Sequence, residues 1–593
     1  MTTPFAPALL CLAITTALLS ACGGGGGGGG GEKSGSGGAS SGNQSATSPV
    51  VIGAPAAPAA SIGFAIKQLQ FNWPAVEGAT FYRVLESVDG VTFTPVGGDL
   101  SGTGYRHDIA VHTHNWDDAR YQVQACNSAG CTTSDNLSAR TGVLQAIGYF
   151  KASNTSAGDS FGWALALSDD GNTLAVGAPF ENSSATDSGA VYVFTKTTSG
   201  WQQQAHIKAS NADANANFGS SVALSSAGTT LAVGAPFEDG AAADAGAVYV
   251  FTRSGSSWTQ QAYVKASNNF ANNYFGWSVA LSDDGNVLAS GAPGEANSAS
   301  GIEPTTMNRT AANAGAAYVF TRSGVNWTQQ RYLKASNTDA DDNFGTALAL
   351  NATGSVLAVG APYEASQAKG INGGQLNNSI TGAGAVYLFA RGSDWSQQAY
   401  IKASNTGGQD NFGATLALND SGDTLAVGAP YESSSSIGID SASNNTAASA
   451  GAAYVFVRGS GWTQQAYIKA SNSQAHDDFG AALALNSDGS LLVVGAIGES
   501  SAATGVNGAQ ADNSKDGVGA AYLFARSGGA WTQQTYLKPS TATLGSEFGS
   551  AIGISANGDT LAIGGAFESK SAIGIGAAQT SPSATDAGAL WLF

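Results

Sequence analysis

The sequence predicts an all-β protein, a seven-bladed β-propeller preceded by a small β-sandwich. Three observations predict it. First, a Phe-Gly pair recurs at Phe161, Phe218, Phe275, Phe344, Phe412, Phe479 and Phe548, with spacings of 57, 57, 69, 68, 67 and 69 residues. Self-similarity at such a period marks a repeat architecture. Second, every copy repeats one order of strands. In the first copy these are Leu165 to Leu167, Leu174 to Pro179, Gly189 to Phe194 and Trp201 to Lys208. Four strands per unit, repeated radially, make a propeller blade. Third, the 593 residues include 80 glycines and only 11% charged residues, which suits short strands joined by many turns, not long helices.

The chain opens with an address. Ala8 to Leu19 form an apolar run too short to span a bilayer, closed by Leu19-Ser20-Ala21-Cys22 and followed by nine glycines, Gly23 to Gly31. This segment resembles a bacterial lipoprotein signal whose lipobox is Leu19 to Cys22. The resemblance implies cleavage before Cys22 and lipidation of Cys22. No Asp follows the cysteine, so the outer membrane or cell surface is the implied location. Residues 1–22 are read as the signal peptide and 23–60, rich in Gly and Ser, as a flexible tether.

Residues 61–142 alternate and turn often. Phe71-Asn72-Trp73-Pro74 begins one strand, Phe81 to Leu85 and Tyr121 to Ala125 read as others, and Asn127 to Gly130 is a turn. The stretch resembles a fibronectin type III domain, which implies that Trp73 is the core aromatic of a sandwich. Cys126 and Cys131 flank the turn, and an oxidising compartment favours their pairing. His107, His112 and His114 cluster here with no further ligand pattern. They are read as a solvated strand edge and not as a metal site.

Residues 143–593 are the repeat array. The last copy stops at Leu590 to Phe593, on its third strand. Gln145 to Lys151 match the missing fourth strand, so the two ends are expected to pair and close the ring, removing exposed strand edges. Phe-Gly followed by Gly-Ala-Pro resembles the FG-GAP repeats of the integrin α-subunit propeller. That resemblance implies a ligand-binding face formed by the loop before Phe-Gly and the loop after Gly-Ala-Pro. It also brings calcium into view. The first hairpins, such as Ser168 to Gly171, Ser282 to Gly285 and Asn486 to Gly489, carry too few oxygen ligands for it. No metal and no cofactor is expected.

Each copy places a glutamate two residues beyond the Gly-Ala-Pro position: Glu181, Glu238, Glu295, Glu364, Glu432, Glu499 and Glu568. A role shared by every blade points first to blade structure, with backbone N–H groups as donors. The alternative is a cation-attracting rim on the ligand face, joined by the acids before Phe-Gly, among them Asp342, Asp410 and Asp478. Between the Pro and the third strand, the first two copies have nine residues and the third has 21, Gly294 to Ala314. Such loops on a rigid scaffold are where recognition usually resides. The repeated Trp of the fourth strand, Trp201 to Trp531, is read as blade packing.

The net charge of -18 excludes nucleic acid as a partner, because phosphates require a basic patch. No nucleophile, base and orienting group can be nominated in the array, so an enzyme is not expected. The expected function is a monomeric cell-surface lipoprotein that binds a protein or glycan through its loop face. An envelope scaffold is the alternative, and a propeller hydrolase or lyase a more distant one.

Overall fold

The computed structural model describes residues 53–240 and 242–593, so the signal peptide, Cys22 and most of the tether lie outside the described residues. The end of the expected tether is seated on the sandwich. Pro55 and Pro58 are buried, and Asn127 Nδ2 donates to the Gly53 carbonyl at 2.8 Å. Among the described residues the only helical segments are Arg140–Gly142 and Val143–Ala146.

Two sheets make the N-terminal part. Ser61–Ala65, Gln68–Asn72 and Gly104–Asp108 form one. In the other, Phe81–Ser87 and Arg120–Asn127 lie side by side, flanked by Thr94–Leu100, Gly130–Thr133 and Leu137–Ser138. Period-two alternation sends Leu69, Phe71, Tyr82, Val84, Tyr121 and Val123 into one core, with Trp73 buried beside Tyr82. Cys126 and Cys131 oppose each other across the hairpin and form a disulfide, S–S 2.05 Å.

Seven antiparallel four-stranded sheets follow, here called modules. They span 164–207, 221–264, 279–333, 347–401, 415–468, 479–537 and 551–592. The seventh takes its fourth strand from ahead of the array. Gly148–Phe150 pairs with Ala589–Leu592, with Tyr149 opposite Trp591. This strand is shorter than the expected Gln145 to Lys151, because Gln145 and Ala146 complete the short helix. The second strands, such as Thr173–Ala178 and Thr424–Ala429, are buried throughout. Their runs of Leu, Ala, Val and Gly suit strands covered on both faces.

Backbone hydrogen bonds link one module to the next. At the first hairpin, Asp169 N donates to Ser226 O, Ser226 to Asp283, Asp283 to Ala352, Ala352 to Asp420, Asp420 to Ser487 and Ser487 to Ala556; Ala556 N then returns to Asp169 O at 2.9 Å. A second series starts from the Phe-Gly pairs. Phe218 N donates to Ser188 O of the preceding module at 3.1 Å, and Phe161 N donates to Ala587 O, also at 3.1 Å. The strands leave no room for side chains at this approach. A Cβ on Gly360 would stand 2.0 Å from the Gly413 carbonyl oxygen.

The sandwich and the last modules share a core. Leu69, Tyr121 and Tyr149 belong to one buried cluster with Leu523, Phe548, Trp591 and Phe593. Lys67, in the first turn, is buried and donates to the carbonyls of Phe593, at 2.9 Å, and of Asp559. Burial, with the Lys196 charge, lowers its ammonium pKa to about 7. His112 is not on a solvated strand edge. It is buried in a loop, with Nε2 2.8 Å from the Gly558 carbonyl oxygen, while its own carbonyl accepts from Thr535 Oγ1 at 2.8 Å. His114 packs on Trp116 and Tyr121, and His107 lies 3.9 Å from Glu86. The expectation failed because the sandwich docks on another part of the chain through this loop.

Candidate functional site

The seven glutamates are not a rim. Glu181, Glu238, Glu295, Glu364, Glu432, Glu499 and Glu568 are all 2% exposed or less. Each carboxylate pairs with the lysine that ends a fourth strand: Lys208, Lys265, Lys334, Lys402, Lys469, Lys538 and Lys151, at 2.5 to 3.0 Å. Lys334 and Lys469 also donate to the carbonyls of Gly315 and Gly451. Burial lowers the pKa of Lys334, Lys402 and Lys469, against the pull of their glutamates. Burial pushes the Glu181 and Glu238 carboxyls up, but the hydrogen bonds and charges of Lys208 and Lys265 outweigh it and leave both below the ordinary value.

The other glutamate oxygen faces the preceding module. Asn154 Nδ2 donates to Glu181 at 2.8 Å, Asn337 to Glu364 at 2.9 Å and Asn472 to Glu499 at 3.0 Å. The Asn side chain in turn accepts from a third-strand tyrosine, as in Tyr192 to Asn154 and Tyr387 to Asn337, both at 2.6 Å. A fourth-strand tyrosine completes the group, as in Tyr400 to Glu364 at 2.9 Å. His206 stands at this last position in the first module, 4.0 Å from Glu181. The seventh module has Thr541 in place of the Asn and Trp591 in place of the Tyr, and Trp591 Nε1 donates to Ser540 Oγ instead. The network is an internal clasp between modules. Its signal in the sequence was the Lys-Ala-Ser-Asn motif, whose Asn precedes the glutamate by 27 residues wherever both occur.

The acids before Phe-Gly are also inside. Asp342 and Asp410 are buried and accept the backbone N–H of Asp339 and Gly407, at 3.0 and 2.7 Å. Burial, with Glu364 and Glu432 nearby, raises each to about 7. Asp478 is not their equivalent; Asp477 is, accepting from Gln474 N at 2.7 Å. Asp478 occupies the left-handed residue before Phe479, φ 54°, where other modules place Asn217, Asn343 or Asn411. The shared αL conformation explains the Asn preference there.

The long loops turn outward. Ile302 forms a bridge with Leu333, Ile371 with Ile401, Ile439 with Ile468 and Val506 with Leu537, each beside the fourth strand of its own sheet. The next residue caps that strand, as in Glu303 Oε1 accepting from Tyr332 N at 2.6 Å. These loops cover edge strands, where open backbone groups would otherwise invite pairing. The fourth-strand Trp residues pack between modules: Trp201 of the first stands on Phe150 of the seventh, and Trp258 Nε1 of the second donates to Gln204 Oε1 of the first at 2.9 Å.

What faces outward on the Phe-Gly face is aromatic. A basin of about 750 Å3 is lined by Trp163 and Phe180 of the first module, Phe237 of the second, Trp277 of the third, and Glu547 and Phe567 of the seventh. Ala414 and Ala481 of the fifth and sixth also line it, so it lies where modules converge. A second hollow of about 330 Å3 adjoins it through Trp277 and Ala414 and adds Tyr274, Tyr363 and Tyr431. Trp163, Trp277, Tyr363 and Tyr431 are 39 to 45% exposed. They are held edge to face by neighbours, Trp163 at 5.6 Å from Phe180 and Phe237 at 5.4 Å from Tyr274. Sequence reasoning missed this site. Its residues follow Phe-Gly or precede the repeated glutamate, and they vary between copies (Trp163, Ser220, Trp277, Ala414) against a constant frame.

Comparisons with known proteins give the family. The FG-GAP repeat family matches residues 148–194, 201–251, 258–320, 327–389, 395–456 and 462–524, more than half of the chain. No curated protein matches the chain. Among solved structures it is similar to the periplasmic gluconolactonase PpgL of Pseudomonas aeruginosa, at 13% identity and TM-score 0.40, covering 78% of this chain and 98% of that one. It is also similar to Sqt1 of Saccharomyces cerevisiae, at 9% identity and TM-score 0.35, over 75% and 97% of the two chains. The WD40 repeats of RRP9 match at 9% identity and TM-score 0.40, over 75% and 96%. Similarity at that level assigns no activity. The six matched copies share the register of Phe-Gly, glutamate and Lys-Ala-Ser-Asn described above, and the chain belongs to the FG-GAP repeat family.

Proposed function

We propose that the seven modules are the blades of one closed seven-bladed propeller, preceded by a fibronectin type III-like domain at 61–142, and that the protein is a binding module. The reading places it at the cell surface, anchored in the envelope through Cys22, as a monomer that holds a protein or glycan ligand on its Phe-Gly face. The aromatic basin carries the proposal. Exposed Trp, Tyr and Phe converging from several modules are costly to leave in water and are what recognition sites use. Calcium is not part of the reading, and neither is turnover, since the lining is aromatic or small apart from Asn217, two serines and Glu547. The cyclic hydrogen bonds and the pairing of 148–150 with the C-terminal strand support closure.

The test is a binding screen of the intact protein against glycan and extracellular-matrix panels, with calcium and with chelator. A saturable partner, lost on Trp277→Ala with melting unchanged, is the expected result. A partner that survives Trp163→Ala and Trp277→Ala together would move the site elsewhere. Hydrolysis of a panel member would replace the reading with an enzyme.

A further inference from the structure

The basin has a charge pattern that aromatic packing does not explain. Glu547 lines it, and no described residue hydrogen-bonds its carboxylate. Burial, with Asp478 and Asp586 nearby, raises the Glu547 carboxyl. Asp478 lies close enough to act on both Glu547 and Tyr431, and its buried Oδ1 has no hydrogen-bond partner among the described residues. His476 is the titratable base beside Asp478 and is exposed. No Lys or Arg lines either hollow. The seven clasp glutamates each hold a lysine; the carboxylate of this basin stands among aromatic side chains with no Lys or Arg in the lining.

We propose that the basin takes a small organic cation of the quaternary-ammonium kind, seated on Trp163, Trp277 and Phe237 with its charge met by Glu547. Ring faces attract a cation through their quadrupole, most strongly for Trp. Beside Glu547 the side chains of the lining offer few acceptors, Asn217, Ser220 and Ser550, and two of their donors are already engaged. Asn217 Nδ2 donates to Pro179 O at 3.0 Å, and Ser220 Oγ donates to Asn217 O at 2.8 Å. A primary ammonium or guanidinium would bring several N–H donors and find few acceptors. A quaternary ammonium carries its charge on methyl groups and needs none. The inference rests on the binding reading above and narrows it.

The experiment is calorimetric titration of the intact protein with choline and with 3,3-dimethylbutanol, its uncharged isostere, alongside a neutral oligosaccharide panel and an arginine-containing peptide. Choline is expected to bind saturably and the isostere at least about tenfold more weakly, which is the scale of a desolvated cation–π contact. Glu547→Gln is expected to weaken choline by a similar factor, and Trp277→Ala to abolish it, with melting of both variants unchanged. Equal binding of choline and its isostere, or no effect of Glu547→Gln, overturns the proposal. Binding of only a neutral glycan or only the peptide, lost on Trp277→Ala, also overturns it and leaves the binding reading standing. If no probe binds and the panels of the preceding section are silent, both fail.

Discussion

A single clasp shows how residues hold this protein together. Lys402 and Glu364 are both removed from water, and two buried charges are tolerated only because each satisfies the other and the Asn337 and Tyr400 dipoles fill the remaining valences. Glu364→Gln strands the ammonium and should cost about 3 to 5 kcal/mol in urea unfolding, while adding Lys402→Met should recover a good part of it. Equal loss in the single and double variants would contradict the pairing. The aspartates beside the clasps act in the opposite sense. Asp410 has an ordinary value of 3.8 and is raised to about 7 in the fold, by burial first and Glu432 second. The folded protein therefore keeps a proton that the unfolded chain releases. Its contribution is fully present below about pH 4 and is lost as pH rises through 7. Asp410→Asn keeps an acceptor for Gly407 N, and Asn273 already stands at the same point of the third module. The variant should gain on the order of 2 kcal/mol at pH 8 and little at pH 4, read from paired melting curves. A gain that is the same at both pH values would remove the titration argument.

At the scale of elements, what the sequence revealed depended on repetition. The four strands of each module were legible because Phe-Gly, the hairpin and the Trp strand recur in one phase, and the closing strand was legible because one copy lacked its fourth. The clasp was half legible. The glutamates were found by position, but their Asn and Lys partners sit 27 to 39 residues away, or 417 for the lysine of Glu568, and were not sought there. The course of the long loops was not legible because length alone does not say which way a loop runs; Ile302, Ile371, Ile439 and Val506, with the residue after each, tie them to the outer strands. The docking of the sandwich had no repeating signal at all. It rests on single contacts such as Lys67 to Phe593 and His112 to Gly558, across more than 400 residues. Burial holds His112 down to about 3, so it sits neutral in this contact. His112→Ala leaves the Gly558 carbonyl without its donor and should cost about 1 to 3 kcal/mol. The sandwich and the seventh module should still unfold in one transition, followed by Trp fluorescence and by hydrogen exchange at Tyr121 and Trp591. Two separated transitions in the parent protein would show that the shared core does not couple them.

For the whole molecule, the two ends of the repeat array meet in one sheet, and this determines what truncation does. Leu590, Trp591 and Leu592 pair with Phe150, Tyr149 and Gly148, and Lys67 covers the final carbonyl. Removing the last four residues deletes a central strand of the seventh module. It strips Leu561–Gly565 of one of its two ladders and Gly148–Phe150 of its ladder, and takes Trp591 and Phe593 out of the core shared with the sandwich. Two unpaired edges then face each other across a gap that the chain cannot fill. Such edges pair with other molecules when they cannot pair at home. The truncated protein should form dimers and higher species in light scattering, with a melting temperature well below that of the parent. A peptide of sequence Ala587 to Phe593 added in trans should restore part of the monomer by supplying the missing strand. Deleting the exposed pair Ala442 and Ser443 from an outward loop removes neither a ladder nor a cap and should leave the protein monomeric. If the truncated chain stayed monomeric with unchanged melting, the modules would have to be held together by the clasps alone, and the pairing of Ala589–Leu592 with Gly148–Phe150 would carry no stability.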